Sequence, residues 1–187
     1  NPNFEYDFVK VPNGEIYVLA KELVASVMKT AGIDSWEVLA TVLGSDLELI
    51  KTKHPLFDRD SLVITGDHVT LDAGTGCVHT APGFGADDFI VCQRYNIPII
   101  VPVDGKGRHT AESGKYEGMF VDDSNEVILK DLDDCGALLA TEDIVHSYPH
   151  CWRCKNPIIF RTTEQWFCSV DALKDDAVKA CEDRSEE

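Results

Sequence analysis

Basic side chains are scarce in this 187-residue sequence, which holds 17 Lys and Arg against 33 Asp and Glu and has a formal net charge of −16 at pH 7. A surface this acidic repels a phosphate backbone over most of its area. The composition therefore argues against an autonomous nucleic-acid binder. Any contact with a nucleic acid must be local, or must be made by other parts of a larger protein.

Long apolar runs are also missing. No run approaches the ~20 apolar residues of a membrane helix, and the start, NPNFEYDF, lacks the basic-then-apolar pattern of a signal segment. The seven cysteines are an odd number and are scattered except for one C-x-x-C pair, so they indicate reduced cytosolic thiols and not a disulfide framework. We expect a cytoplasmic, monomeric protein with no membrane partner.

The apolar residues that are present make up 44% of the chain, which is normal for a globular protein with a real core. Strand-like segments outnumber helical ones, and the two do not alternate strictly. This pattern favours an α+β domain with a barrel-like β core and peripheral helices over a doubly wound sheet. A shift in composition near His146 predicts a boundary between residues 1–145 and residues 146–187.

Hydrophobic periodicity and turn residues predict the individual elements. A β-hairpin is predicted with its turn at Asn13-Gly14. An amphipathic helix follows over Lys21–Ala31 and stops at Gly32. After it come a strand over Trp36–Leu43 and a helical turn capped by Ser45. Further strands are predicted at Leu62–Thr65, Val69–Leu71, Cys77–His79, Ile97–Val103, Leu138–Glu142, Val145–Tyr148, Ile158–Arg161 and Trp166–Val170. One helix is predicted after Asp87, and a second runs from a capping box at Asp123–Glu126 to Leu132 and stops at Gly136. A third begins at Asp171 and ends in frayed terminal acids. Loops are predicted over His54–Asp60 and Lys106–Phe120.

The most informative stretch is Asp72–Phe89, which reads DAGTGCVHTAPGFGADDF. Its first two glycines, Gly74 and Gly76, allow another backbone or a ligand to approach closely. The later proline and glycines force a turn, after which two acids open a helix whose exposed N–H groups favour negative charge. We expect a strand, a tight loop and a helix N-terminus that bring His79 and Asp88 toward one small space.

From the residues alone, these side chains have more than one interpretation. Asp88 is either a helix cap, which is the commoner role, or a fixed carboxylate that pairs with a cationic ligand. His79 is a base, a hydrogen-bond donor or, most often for a lone histidine, an ordinary core residue. Consecutive helical residues point about 100° apart, so only one of Asp87 and Asp88 faces the loop. Thr75 and Thr80 are candidate pocket hydroxyls.

The motif GTGCVHTAPGFGADDF resembles the signature of the editing domain inserted into isoleucyl-tRNA synthetase. The segments ITGDHVTLDAGTG before it and HSYPHCWRCKNPIIFRTTEQWF after it are similar to the same family, so the resemblance covers nearly the whole chain. The valyl and leucyl members share the GTG and a later Asp, but HTAPG favours the isoleucyl type. Phe84 stands where most relatives have His, a departure that affects pocket detail and leaves the loop glycines and Asp88 intact.

The resemblance implies a site and a reaction. Asp88 falls on the acid that binds the substrate's amino group, and His79 lines the pocket and helps to exclude the isoleucyl side chain. The implied substrate-binding residues are Thr75, Gly76, Thr80, Gly83 and Gly85. The implied activity is hydrolysis of valyl-tRNA(Ile), with valyl-adenylate as a second candidate substrate, and it needs no cofactor. The implied partners are the acceptor end of tRNA(Ile) and the remainder of a synthetase chain, which holds the ATP-dependent ligase site.

The remaining motif, Cys151-Trp-Arg-Cys154, is half of a four-ligand zinc knuckle, and His146 and His150 lie near it in the sequence. Two ligands bind zinc poorly, so two ordinary thiols in a turn are an interpretation of nearly equal weight. The resemblance implies that a second C-x-x-C, and a Thr-rich peptide that lines the editing pocket, precede residue 1. We expect a metal-free or weakly occupied site in this chain, with Cys151 and Cys154 as candidate zinc ligands in the longer enzyme.

Two alternatives to an isoleucyl editing domain stay open. One is a non-catalytic module that docks the tRNA acceptor end, and the other is an editing domain of the valyl or leucyl type. No nucleophile elbow for a Ser–His–Asp triad occurs, and no water-activating base stands out. We therefore expect the water to be positioned by backbone groups and by the substrate's own ribose hydroxyl.

Overall fold

A computed structural model describes residues 1–184; the acids predicted to fray at residues 185–187 lie outside the described part of the chain. The strands are β1 (Glu5–Lys10), β2 (Ile16–Ala20), β3 (Glu37–Leu43), β4 (Lys51–Lys53) and β5 (Asp60–Leu62). The helices are α1 (Val24–Thr30), α2 (Ala86–Arg94), α3 (Val121–Asp134) and α4 (Lys174–Arg184). Short 3-10 segments span Lys21–Leu23, Gly44–Leu47 and Ala111–Tyr116. Within residues 1–184, no helix is both long and apolar enough to cross a membrane.

The first sheet has the order β2-β1-β3 with antiparallel pairs, and the predicted hairpin turn at Asn13-Gly14 is confirmed. Gly14 has a φ of +91°, the left-handed conformation that glycine adopts without strain. Val9 and Leu19 pack with Val24 and Met28 of α1 in the larger hydrophobic cluster. The apolar faces of β1, β2 and α1 therefore form this part of the core, and the three elements follow one another in the sequence.

The ends of α1 and α2 follow the predicted signals. Gly32, at a φ of +67°, ends α1, and Ile33 N–H donates to the Met28 carbonyl at 2.9 Å in a Schellman-type closure. α2 begins at Ala86 after the Gly85 N-cap, so Asp87 and Asp88 lie in its first turn as predicted. The helical turn after β3 is present at Gly44–Leu47, but Ser45 is not its cap. Instead the Asp46 carboxylate accepts the Leu43 N–H at 3.2 Å.

A second, two-stranded sheet pairs β4 with β5, in the register Lys51↔Leu62 to Lys53↔Asp60. β4 was not predicted, because Lys-Thr-Lys is short and polar and therefore carries no hydrophobic alternation. The predicted strand over Leu62–Thr65 is shifted, since regular pairing ends at Leu62. The predicted loop over His54–Asp60 mostly forms the turn of this hairpin.

α3 starts two residues before the predicted capping box, and its N-cap is Phe120, which makes no side-chain cap hydrogen bond. His109, which lies before the helix, contacts its first turn instead. Its Nε2 lies 2.9 Å from Oγ of Ser124 in α3, and its Nδ1 lies 3.0 Å from Ser113 Oγ. Ser113 belongs to the 3-10 segment Ala111–Tyr116, so the prediction of an unstructured loop over Lys106–Phe120 is partly wrong.

Several predicted strands do not form. Among residues 1–184, regular strands are absent from the segments predicted at Val69–Leu71, Cys77–His79, Ile97–Val103, Leu138–Glu142, Val145–Tyr148, Ile158–Arg161 and Trp166–Val170. Between the last four, the described residues form only one isolated antiparallel bridge, His150↔Pro157, and Val145, Trp166 and Phe167 are almost fully exposed. The α+β class is confirmed, whereas the barrel-like core is not confirmed, since the described strands form two separate small sheets.

The motif segment is fixed to the first sheet at one junction. Ala20 N–H, at the end of β2, donates to the Thr75 carbonyl at 2.9 Å, and the buried Tyr6 hydroxyl donates to the Gly76 carbonyl at 2.8 Å. Gly76 has a φ of +76°, and a Cβ at this position would lie 2.4 Å from Ala20 Cβ. Only glycine satisfies both the backbone conformation and the space at this point.

Gly76→Ala is expected to lower the free energy of unfolding by about 2–4 kcal/mol, because it combines a strained φ with an overpacked contact. Gly74→Ala is the matched control, since Gly74 has a φ of +75° but nothing within 4 Å of its position for Cβ. It is expected to cost about 1 kcal/mol. Urea unfolding of both variants checks this, and equal losses would contradict the packed junction.

Candidate functional site

The Asp88 carboxylate reaches back from the first turn of α2 to the loop that precedes the helix. Its Oδ2 accepts the Ala81 N–H at 3.1 Å. Asp88 is half-buried whereas its neighbour Asp87 is exposed, as the angular spacing of a helix requires. Within residues 1–184, Oδ1 of Asp88 makes no hydrogen bond, so this oxygen is free to accept one from a ligand.

The loop between Ala81 and Asp88 is held closely against two distant segments. Thr162 N–H donates to the Gly83 carbonyl at 2.8 Å, and a Cβ on Gly83 would lie 2.6 Å from the Ile100 carbonyl oxygen. A Cβ on Gly85 would lie 3.1 Å from Asp88 Oδ2. Both glycines therefore serve close packing, and Gly85 leaves room for the carboxylate.

His79 is exposed, and a second histidine, His54, lies in the turn of the β4–β5 hairpin. His54 Nδ1 accepts the N–H groups of Leu56 at 3.1 Å and Phe57 at 3.2 Å. The proton of the neutral ring therefore sits on Nε2. Partial burial, and after it the nearby charges of Arg59 and His79, lower the pKa of His54.

The two candidate threonines bond within their own turns. Thr75 Oγ1 donates to the Cys77 carbonyl at 3.0 Å and accepts the Cys77 N–H at 3.2 Å. Thr80 Oγ1 lies 3.4 Å from the Val78 carbonyl oxygen. Such turns shape the backbone between the sheet junction and Asp88, and each hydroxyl retains acceptor capacity for a ligand.

An open, mainly apolar cleft of about 350 Å³ adjoins the motif loop. It is lined by Gly83, Phe84, Gly85, Ala86, Phe89, Ile90, Phe160, Arg161 and Thr162. Of the residues predicted for the site, only Gly83 and Gly85 line this cleft. Phe84 contributes to its apolar wall.

The predicted site residues thus share one continuous loop but do not line a single cavity. The segment from Thr75 to Asp88 is ordered by the sheet junction at one end and by the Asp88–Ala81 bond at the other. No hydrogen bond joins His79 to Asp88 in the described part of the chain. Sequence reasoning interpreted the His-Pro-Leu-Phe-Asp-Arg stretch only as a loop and did not predict the contacts of His54 and Arg59 that order its turn.

The Cys151–Cys154 turn has features of a metal knuckle but supplies only part of a site. Hydrogen bonds from the backbone N–H groups of Cys154 and Arg153, together with one from the Cys154 side chain, lower the pKa of Cys151. Lys155 closes the turn at a φ of +64°. Across residues 1–184, no group of three or more His, Cys, Asp or Glu side chains could hold a metal ion. Two thiols are half of the four ligands of a structural zinc, so zinc binding stays a prediction.

Comparison with known proteins identifies the relatives of the chain. It is 58% identical over 183 residues to isoleucine–tRNA ligase of Caldicellulosiruptor saccharolyticus, a match covering 98% of this chain and 20% of that protein. The corresponding enzymes of Caldanaerobacter subterraneus and Bacillus cereus are 51% and 53% identical, each over 96% of this chain and 19% of their own length. No protein-family model matches the chain.

The similarity to isoleucyl-tRNA synthetases that the motifs indicated is therefore confirmed. The chain is homologous to a segment of isoleucine–tRNA ligases, and it spans about a fifth of the length of the curated relatives it matches.

The contacts of His54 predict a pH dependence of stability. Since the pKa of His54 is lowered in the folded chain, the unfolded chain binds a proton more readily, and stability is lost as pH falls below about 6.5, the ordinary histidine value. His54→Asn keeps an acceptor for the two N–H groups but does not titrate. Urea unfolding between pH 7.5 and 5 should show a smaller loss in the variant; an identical loss would contradict the assignment.

Proposed function

We propose that this chain carries the editing site of an isoleucine–tRNA ligase and hydrolyses valine from mischarged tRNA(Ile). Isoleucine and valine differ by one methylene, the standard example of a difference worth only about 1–3 kcal/mol in a hydrophobic pocket. A synthesis site alone therefore makes errors, which a second, smaller site can remove. The observation that carries the proposal is the half-buried Asp88 carboxylate, with one oxygen bonded to Ala81 N–H and the other free, in a chain homologous to these ligases.

Asp88 is proposed to bind the α-ammonium of the esterified amino acid. An aminoacyl ester presents this cation beside the carbonyl that is attacked, and a fixed carboxylate pairs with it through a charge-assisted hydrogen bond. Because Oδ2 is held by Ala81 N–H, the free Oδ1 has a defined direction. Orientation of this kind contributes to rate by placing the ester consistently relative to the attacking water.

His79 is proposed to act as a size filter and not as the base. Its exposed ring lies three residues after the packed Gly76 junction and is open to a ligand, and we propose that it excludes the longer isoleucyl side chain. In the reaction, water oxygen attacks the ester carbonyl, the bond from that carbon to the ribose oxygen breaks, and the ribose oxygen takes the proton. Backbone groups of the Thr75–Ala81 segment and the neighbouring ribose hydroxyl are the proposed water-positioning groups.

The alternative from another class is a module that docks the acceptor end without chemistry. The exposed apolar side chains between residues 144 and 173 favour contact with a further part of a ligase chain, as such a module would require. They do not explain why the half-buried Asp88 carboxylate is oriented by Ala81 N–H. Hydrolysis therefore explains the motif loop better, whereas docking explains the exposed apolar side chains between residues 144 and 173.

Asp88→Asn tests the proposal, because it keeps an oxygen that can accept the Ala81 N–H and removes the charge. Loss of one charged hydrogen bond, worth about 1.5–3 kcal/mol, should lower the rate of valyl-tRNA(Ile) hydrolysis by roughly 10- to 150-fold. The measurement is single-turnover release of valine, with circular dichroism melts to establish folding.

Asp87→Asn is the matched control, since it makes the same change of charge one residue away on an exposed position. It should leave the rate within about twofold, because an exposed charge contributes little. If both variants, properly folded, hydrolyse valyl-tRNA(Ile) as fast as the unaltered chain, the editing proposal fails and the docking module becomes the better account.

A further inference from the structure

The segment that follows Cys151 is almost entirely exposed, and its one partly buried residue lies against the motif loop. Between residues 152 and 182 every residue is exposed except Thr162. Thr162 N–H donates to the Gly83 carbonyl at 2.8 Å, and its Oγ1 donates to the Pro82 carbonyl at 3.4 Å. Two adjacent carbonyls of the motif loop therefore accept hydrogen bonds from one distant residue, which lies 80 positions after Pro82 in the sequence.

The residues just before Thr162 are fixed to a neighbouring segment. Arg161 Nη1 donates to the Val103 carbonyl at 3.4 Å. A Cβ on Gly107 would lie 2.9 Å from Cδ1 of Ile159, so this glycine leaves the space that the isoleucine side chain occupies. The strap, which is formed by these residues together with Thr162, therefore joins that neighbouring segment to the motif loop.

The carbonyls that the strap binds lie between the two partners of the Asp88–Ala81 hydrogen bond. Ala81 N–H donates to Asp88 Oδ2 at 3.1 Å, and the Ala81 carbonyl accepts the Phe84 N–H at 3.0 Å. The Ile100 carbonyl oxygen confines Gly83 further, since it lies 2.6 Å from the position that a Cβ would take. A shift of Gly83 would therefore turn the Ala81 N–H, and with it the carboxylate that this N–H orients.

We propose that Thr162 is a positioning residue for Asp88, because its hold on the Pro82 and Gly83 carbonyls fixes the turn that directs the free Oδ1 of the carboxylate. The inference rests on the proposed function, since Oδ1 has a task only if it binds the ammonium group of an aminoacyl ester. A carboxylate of variable direction places that ester less consistently before the attacking water. The strap is exposed, so it opens locally at low free energy, and its closure sets how much of the time Asp88 is correctly oriented.

Amide hydrogen exchange of Ala81, measured by NMR, tests the proposal without any substrate, because this N–H is the one that the Asp88 carboxylate accepts. Thr162→Pro removes the 2.8 Å hydrogen bond to Gly83 and should speed the exchange of Ala81 roughly three- to tenfold. Thr163→Pro is the matched control, since it places the same ring one residue later, where the N–H makes no hydrogen bond within residues 1–184. It should change the exchange rate by less than about twofold.

A second variant decides the matter if Thr162→Pro does not fold. The double variant Ile159→Ala, Arg161→Gln changes two exposed residues and releases the strap from its neighbouring segment. It should speed the exchange of Ala81 by about two- to fivefold. If neither strap variant changes the exchange of Ala81, or if Thr162→Pro and Thr163→Pro raise it equally, the proposal is overturned.

Hydrolysis of valyl-tRNA(Ile) separates a positioning role from a merely structural one. Thr162→Pro should lower the single-turnover rate roughly three- to tenfold in the unaltered chain, but less than about twofold beside Asp88→Asn, where the positioned charge is absent. Equal factors in both backgrounds would overturn the positioning role. If the unaltered chain hydrolyses nothing while the strap variants still change the exchange of Ala81, the proposed function fails and the coupling of Thr162 to Asp88 stands.

Discussion

The contact between the end of β2 and the segment Thr75–Cys77 is the constraint on which the proposed site depends. A backbone hydrogen bond from Ala20, a buried hydroxyl from Tyr6 and the lack of a side chain on Gly76 fix the motif segment to the best-packed part of the molecule. The core clusters on the two sides of this sheet draw on α1 and on residues of β1 and β2, all of them local in sequence. A rigid local unit thus positions a loop that has little regular structure of its own.

From that junction the chain runs past His79 to Asp88, and each part of the path is restrained differently. The hydrogen bond from Ala81 N–H to the Asp88 carboxylate joins the two ends of the turn. Thr162 N–H donates to the Gly83 carbonyl, and the Ile100 carbonyl packs closely against Gly83. The result is a half-buried carboxylate with a free oxygen at the start of α2, and an apolar cleft lined by Gly83 and Gly85 of the same loop.

How far the sequence predicted this arrangement depends on the range of each interaction. The Asn13-Gly14 hairpin, α1 with its Gly32 stop and the acid-bearing start of α2 were predictable, because their signals lie within a few residues of each other. The family motif likewise singled out Gly76 and Asp88. The strands predicted between residues 138 and 170 failed, because apolar alternation does not identify a pairing partner, and the described residues there form only the isolated bridge His150↔Pro157.

Other features had no usable local signal. β4 consists of three polar residues, so it shows no hydrophobic alternation that would predict a strand. The Ala111–Tyr116 segment contains Gly114 at a φ of +57°, and a glycine there is typical of a loop. The position of Phe160 and Thr162 against Gly83 joins residues nearly eighty apart in the sequence, and no periodicity reports such a contact. His54 stood in a predicted loop, and its bonds to the N–H groups of Leu56 and Phe57 become visible only once the turn is formed.

The most direct test of the account is the ratio of hydrolysis rates of valyl-tRNA(Ile) and isoleucyl-tRNA(Ile) by the unaltered chain. An editing site built around Asp88 and filtered by His79 should release valine and leave isoleucine attached. Release of both amino acids at the same rate would contradict the filter, and release of neither by the folded chain would contradict hydrolysis by this segment.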